Sequence, residues 1–535
     1  MKLLNVEIMK QLESAADAGG YTFEKMMTKA GQNLAHVVHE RYYTGDQNHA
    51  LGLVGAGNNG GDTLVALSML QESGWTCSAV LLKPASQPNV LIEEYRKVGG
   101  KLLELGDEGN SWLINEIDQA RVILDGVFGT GFKLPIRSPY KEILELVGKK
   151  SSGKTIVAVD CPSGIDCISG MASPETLKAD LTVCMEAVKE GLLKFPAFNY
   201  CGEIVTVDLG IPPKHKKDVK GDDIVIDSQF VKKSLPTRKS DAHKGDFGHV
   251  IVCGGSVNYV GAPVLAGKSA YRVGAGLVEC AVPERIYEAA AAASLESTWL
   301  LLEDVDGVIA ESASSTLISR LKDADCLLIG PGIGREDTTL RFFNRSIFES
   351  FTNTQSASIG FVPKNIPMKS DIQSRLPPLV IDADALRLLS KTTDWFKRLK
   401  ALAVLTPHPG EMACLTGLTV DEIQNDRLSI ARQFATKWGQ VVVLKGALTV
   451  VASPEGRIAV LPFADSMLAK AGTGDVLAGM IAGLIAQGVP LFDAASAGVW
   501  IHAHAGVLAA QKLGSSISLL ASEMPDAIPG VFNSL

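Results

Sequence analysis

Short runs of Val, Ile and Leu recur along this chain and alternate with helix-like stretches from one end to the other. That rhythm is the grammar of parallel sheets, whose strands are buried on both faces and joined by crossover helices. At 535 residues the series exceeds what one hydrophobic core supports, so two large α/β units are expected. The boundary is legible. Residues 211–217 close one series with two prolines and clustered charge, and the polar stretch 236–246 leads into a new strand at 249–252. The segment 352–374, rich in Ser, Asn, Gln and Lys, interrupts the second unit and reads as a surface excursion.

Composition removes several classes of function. A net charge of −8 with no basic run argues against a nucleic-acid surface. The nine cysteines are scattered without a C-x-x-C pair, so neither a zinc site nor a disulfide framework is expected. Reduced thiols suit a cytosolic enzyme. Residues 1–7 lack the long apolar core of a signal peptide, and the apolar run 476–486 is too short to span a bilayer. A cytoplasmic protein without a membrane partner is the expectation.

Three sets of residues carry chemistry. In Lys470-Ala471-Gly472-Thr473-Gly474-Asp475, glycines bare the backbone where an apolar helix begins, and a carboxylate occupies the first turn. Free N–H groups and the helix dipole make a place for a phosphate, and an aspartate there can take a proton from a hydroxyl beside it. An ordinary helix cap is the alternative. In the first half a strand runs into Gly55-Ala56-Gly57-Asn58-Asn59-Gly60-Gly61-Asp62, and a helix follows from Asp62. The local pattern is that of a dinucleotide turn, but the next strand, 78–82, ends in Lys83-Pro84 instead of a ribose-binding acid, which disfavours a plain dehydrogenase. Two further strands end in Asp125 and in Asp160, the latter followed by Cys161-Pro162-Ser163-Gly164. Asn59, Asp125, Asp160 and Ser163 are placed to converge at the carboxyl ends of the strands, where oxygen donors suit a hard cation and a carboxylate suits proton transfer.

These motifs resemble a known family over nearly the whole chain. The first half is similar to NAD(P)H-hydrate epimerase domains through Asn58-Asn59-Gly60-Gly61-Asp62 and Asp160-Cys161-Pro162-Ser163-Gly164, and the second half to ADP- or ATP-dependent NAD(P)H-hydrate dehydratases, which are ribokinase-like. The order matches the fused repair enzymes. The resemblance implies an α/β chain with two domains, an N-terminal Rossmann-like three-layer α/β/α sandwich at 1–220 and a C-terminal ribokinase-like α/β/α domain at 226–535. It implies repair of hydrated NADH and NADPH, with epimerisation in the first domain and dehydration of the S epimer in the second.

Carried over by residue, Asn58, Asn59, Gly60, Gly61 and Asp62 would bind the hydrated dinucleotide. Gly129, Thr130, Gly131, Phe132, Lys133, Leu134 and Pro135 would cover it. Asp160 would be the acid/base group, and Asn59, Asp125 and Ser163 would hold potassium. The chain departs from the family pattern at Thr63, which would narrow the approach to the phosphates, and at Cys161, read as a packing residue. In the second half Ala262, Gly332, Gly334, His408 and Asp475 would meet the substrate, with Asp475 catalytic. Lys445, Gly446, Ala447, Leu448, Thr449 and Gly474 would meet the nucleotide, with Mg2+ on the phosphates of ADP or ATP. The implied mechanism phosphorylates the hydroxyl and then expels phosphate as the ring nitrogen pushes electrons in. The bacterial type of fusion leans toward ADP, and analogy with the family suggests a homo-oligomer. A competing reading is a ribokinase-like small-molecule kinase fused to a non-catalytic nucleotide-binding domain. His502 and His504, two apart on a helix, make a poor metal pair and read as packing or hydrogen-bonded histidines. Met26-Met27 and 289–293 read as helix material.

Overall fold

The computed structural model describes residues 1–83, 90–104, 111–216, 222–348 and 376–535; the excursion expected at 352–374 lies outside the described residues, as does Pro84. The chain divides into two compact units, Met1–Val225 and Ile226–Leu535. In the first, residues 223–225 fold back on the N-terminus. The Leu3 N–H donates to the Asp223 carbonyl at 2.9 Å, and Lys2 bridges Ile224.

The first unit is built on seven parallel strands: β1 (His49–Val54), β2 (Thr76–Leu81), β3 (Lys101–Glu104), β4 (Val122–Gly126), β5 (Thr155–Val159), β6 (Leu181–Met185) and β7 (Glu203–Val207). Their order is β3-β2-β1-β4-β5-β6-β7. The runs are apolar throughout because both faces are covered. Ala50, Val54, Leu124, Val157 and Val183 pack against helices Val6–Ala18, Phe23–Tyr42 and Asn58–Glu72. Leu51, Leu53, Ile123, Ile156 and Ala158 pack on the other face against helices Ser111–Gln119 and Tyr140–Lys150. Successive residues of a strand point to opposite faces, so one continuous run serves both cores. From β1 the chain steps outward to β3, then returns to β4 and proceeds the other way. Such a reversal opens a crevice beyond the carboxyl ends of β1 and β4.

The second unit repeats this logic with β8 (His249–Cys253), β9 (Leu277–Pro283), β10 (Thr298–Leu302), β11 (Cys326–Ile329), β12 (Leu379–Ile381), β13 (Ala403–Leu405), β14 (Val441–Leu444), β15 (Val450–Ala452) and β16 (Ile458–Val460). They lie in the order β16-β15-β14-β13-β12-β11-β8-β9-β10, parallel except for β15, which runs antiparallel to both β14 and β16. The apolar helix Thr473–Ala486 lies against β8, β11 and helix Gly261–Arg272. A side chain at Gly479 would meet the Ala266 carbonyl oxygen at 2.1 Å, and one at Gly483 the Ala270 carbonyl oxygen at 2.7 Å. Two glycines four apart therefore set how closely these helices approach, and hence where the Gly472 turn sits. No helix among the described residues is long and apolar enough to cross a membrane.

Candidate active sites

In the first unit a cleft of about 780 Å³ lies at the reversal of strand order. Asn58, Asn59, Asp62, Gly129, Thr130, Gly131, Phe132, Lys133 and Asp160 line it; Gly60, Gly61, Leu134 and Pro135 are not among its lining residues. Gly60 and Gly61 lie behind the surface for a steric reason. A Cβ at Gly60 would sit 2.0 Å from the Gly55 carbonyl oxygen, and one at Gly61 2.5 Å from Met27 Sδ. The helix begins at Asn58, earlier than Asp62, so Thr63 is already inside its second turn. The Thr63 hydroxyl donates to the Asn59 carbonyl at 2.8 Å and the residue is fully buried, so it does not narrow the approach to any phosphate. Cys161 is buried, with its thiol pushed well above the usual range by its hydrogen bond to Cys167 and by burial, as suits a packing residue.

Below the cleft lie three oxygen donors. The Asn59 amide nitrogen donates to the carbonyls of Phe128 and Val159 at 2.9 and 2.8 Å. Asp125 is completely buried; its Oδ2 accepts the Ser163 N–H at 2.8 Å, while its Oδ1 has no hydrogen-bond partner. Burial pushes the Asp125 carboxyl up, opposed by its bonds to Ser163. Ser163 is buried too, and its hydroxyl oxygen accepts the Phe128 N–H at 2.9 Å.

Asp160 sits at the end of β5 with φ of 64°, a left-handed conformation that an aspartate adopts under constraint. Two donors hold its Oδ1: the Met185 N–H at 2.8 Å and the Lys189 ammonium. Lys189 is 1% exposed; burial works most strongly against its charge, but the charge and hydrogen bond of Asp160 together with Cys184 and Cys161 keep the ammonium protonated. Sequence reading missed Lys189 and Glu13, which lines the same cleft from helix Val6–Ala18. Lys189 stands between Glu186 and Glu190 in the sequence, so no local signal marked it.

The second unit gathers its site at the carboxyl ends of β11 to β14. After β12, Ala383 takes φ of 52°, a strained turn that separates the strand-end carboxylates Asp382 and Asp384. Lys445, following β14, donates to Asp382 Oδ1 at 2.7 Å and lies 3.9 Å from Glu411 Oε2. The Thr406 hydroxyl donates to the same Asp382 oxygen at 2.6 Å. Gly474 faces this group: a Cβ there would be 3.4 Å from the Lys445 Nζ. Asp475 follows in the first turn of helix Thr473–Ala486. Burial, then the charge of Asp382, pushes its carboxyl up to about 7, with Lys445 opposing. Burial likewise pushes Glu411 up to about 7 against the pull of Lys445.

His408 caps helix Pro409–Thr416. Its Nδ1 accepts the N–H groups of Gly410 and Glu411 at 3.0 and 3.4 Å, while the Glu411 carboxylate accepts the His408 N–H at 2.9 Å. Burial and Lys445 hold the imidazole below its usual range, so it is neutral with its proton on Nε2. Gly332 (φ 63°) lies against Tyr259 and Ala262, and the Gly334 N–H donates to Asp384 at 3.3 Å. Beside them is a pocket of about 180 Å³ lined by Lys445, Gly446, Ala447, Thr449 and Gly474. Leu448 is the exception in 445–449: with φ of 53° it turns inward, is buried, and its N–H donates to the Phe463 carbonyl. His502 also lines the pocket; its Nε2–H donates to the Thr473 carbonyl at 2.9 Å, and burial drives its pKa down to about 4. His504 stacks on Trp500 instead, so the two histidines form no metal pair.

Comparison with known proteins agrees in both halves. Residues 250–529 match the family model described as NAD(P)H-hydrate dehydratase, and residues 23–191 match the YjeF-related protein N-terminus. The bifunctional NAD(P)H-hydrate repair enzyme of Moorella thermoacetica is 34% identical over 519 residues, covering 95% of this chain and 92% of that protein. The enzyme of the same name from Escherichia coli is 30% identical, covering 98% and 93%. A solved ADP/ATP-dependent NAD(P)H-hydrate dehydratase from Bacillus subtilis, co-crystallised with ATP/Mg2+, is 27% identical with a TM-score of 0.47, covering 58% of this chain and 99% of that one. The matches span both halves, against a kinase joined to a non-catalytic partner. The chain belongs to the family of bifunctional NAD(P)H-hydrate repair enzymes.

Proposed function

We propose that the unit Met1–Val225 epimerises the R and S forms of hydrated NADH and NADPH at the cleft around Asp160, and that the unit Ile226–Leu535 dehydrates the S form around Asp475. One observation carries the second assignment. Lys445 binds Asp382, which leaves Asp475 at a helix N-terminus without a salt bridge among the described residues and with a carboxyl at about 7. Such a group takes a hydroxyl proton near neutral pH, while the N–H groups at 472–475 receive the transferred phosphoryl group. The phosphate ester is then a good leaving group, and the ring nitrogen's electron pair expels it. Lys445 and Gly474 lie beside the phosphates of ADP or ATP in the pocket, and Ala262, Gly332, Gly334 and His408 meet the hydrated ring's side of the site.

Among the described residues no cluster of three His, Cys, Asp or Glu is placed to hold a metal. Mg2+ would come with the nucleotide and would neutralise the charge of its phosphates beside Lys445 and Gly474. Potassium fits the first unit because Asp125 Oδ1 is buried without a partner, beside Asn59 and Ser163, an all-oxygen set suited to a hard cation. There it would fix the loops that carry Asn59 and Ser163. Cytoplasmic location and a homo-oligomer are part of the same proposal, from family analogy. The test is to supply hydrated NADH with ADP, then with ATP, and follow the return of reduced-nicotinamide absorbance. Recovery with either supports the reading, and recovery with neither overturns it.

A further inference from the structure

Asp62 and Asp160 both line the first cleft but are held in opposite ways. Asp160 accepts two donors, one of them the buried Lys189 ammonium. Asp62 is 8% exposed, comes from helix Asn58–Glu72, and among the described residues its carboxyl has no hydrogen-bond partner. The charged and titratable groups near it are Asp160, Glu13 from helix Val6–Ala18, and Lys189, whose ammonium is already committed to Asp160. Burial, then the charges of Asp160 and Glu13, push the Asp62 carboxyl well above the usual range, with Lys189 pulling the other way. Lys10 and Lys133 also line the cleft, and Lys10 acts on Glu13, but the buried Lys189 ammonium serves Asp160.

We infer that Asp62 is the proton donor of the epimerisation and Asp160 its proton acceptor, so that the loop residue Asp62 does chemistry beyond holding the dinucleotide. The inference rests on the reading of this cleft as the epimerase centre. Two carboxyls in one cleft, one held by two donors and the other, among the described residues, without any, divide acid from base between them. In the step, the ring nitrogen's lone pair forms a double bond to the hydrated carbon as the C–O bond breaks. The oxygen leaves as water with the proton from Asp62. Water then adds to the other face, the C=N pair returns to nitrogen, and the added water gives its proton to the Asp160 carboxylate. The net change is inversion at carbon with one proton moved from Asp62 to Asp160. The reverse reaction exchanges the roles, and proton exchange with water in the open cleft restores the starting state.

The test measures epimer interconversion against pH in the full-length protein for Asp62→Asn, Asp62→Glu, Asp160→Asn and Glu13→Gln, with dehydration of pure S epimer as the check that each variant is folded. D62N should lower kcat by about 100-fold or more with little change in KM, and should remove the alkaline limb of the profile, because a donor must be protonated to act. D62E should restore that limb, which a merely structural role would not require. D160N should remove the acid limb. If D62N keeps the wild-type rate or the alkaline limb, the inference is wrong. If E13Q removes the limb instead, the donor is Glu13 and the assignment to Asp62 is overturned. If D160N also leaves the rate untouched, the cleft is not the epimerase centre, which is a separate failure.

Discussion

Both units place a lysine among carboxylates beyond the ends of parallel strands, buried in the first and half-buried in the second, yet they use it differently. In the first, Lys189 holds Asp160, the carboxylate assigned to proton transfer. In the second, Lys445 holds Asp382 at 2.7 Å and leaves Asp475 to burial and to the repulsion of Asp382. The cavities differ in the same sense: about 780 Å³ in an open cleft against about 180 Å³ in a pocket beside Lys445. What a carboxylate does here follows from which one receives the ammonium, more than from its position at a strand end or a helix start.

The largest expected effect separates the sites outright. Asp475→Asn should lower nucleotide-dependent dehydration by about 1,000-fold, within the range for removing a general base, while epimer interconversion followed by NMR stays at the wild-type rate. A loss of both activities would break the comparison. Next, Lys189→Met leaves Asp160 in the cleft wall without its ammonium. Removing one member of a buried pair should destabilise the first unit by about 3 kcal/mol, read as a lower urea midpoint for that unit alone. An unchanged midpoint would mean that the pair contributes little.

These two lysines also mark how far the sequence could be read. The glycine loops were legible as a local pattern, although only part of the constraint is local: a side chain at Gly60 would strike the Gly55 carbonyl oxygen within the loop, and one at Gly55 the Val127 carbonyl oxygen from the end of another strand. The parallel sheets were legible from the unbroken apolar runs. Lys189 and Glu13 went unseen because their partner Asp160 is distant in sequence, and nothing local distinguishes a buried lysine from a solvated one. Glu411, three residues after His408, received no role, since its burial and its approach to Lys445 appear only in the folded site. The orientations of Thr63 and Leu448 were not legible: one more turn of helix buries the first, and a left-handed backbone turns the second side chain inward.

Smaller effects sharpen the contrast. With Asp475 required as a base and its carboxyl at about 7, dehydration kcat/KM should fall about tenfold per pH unit below that value. Folding stability responds with the opposite sign. The folded carboxyl holds its proton longer than the unfolded one, so its contribution declines as pH rises from about 4 to about 7. A flat profile between pH 5 and 8 would remove Asp475 from the role of base, on the order of its shift. Replacing potassium by choline should slow epimerisation several-fold and leave dehydration unaffected; equal slowing of both would place the cation elsewhere.

The central claim is that two separate sites on one chain carry out two successive steps, and mixing variants tests it most directly. R-hydrate is supplied with nucleotide to Asp160→Asn alone, to Asp475→Asn alone, and to the two together, and reduced-nicotinamide absorbance is followed. Each variant alone should fail to restore the cofactor faster than spontaneous epimerisation allows, and the mixture should restore it at a rate near wild type, since each protein keeps one intact site. If the mixture repairs no faster than the single variants, the two steps do not reside where Asp160 and Asp475 lie.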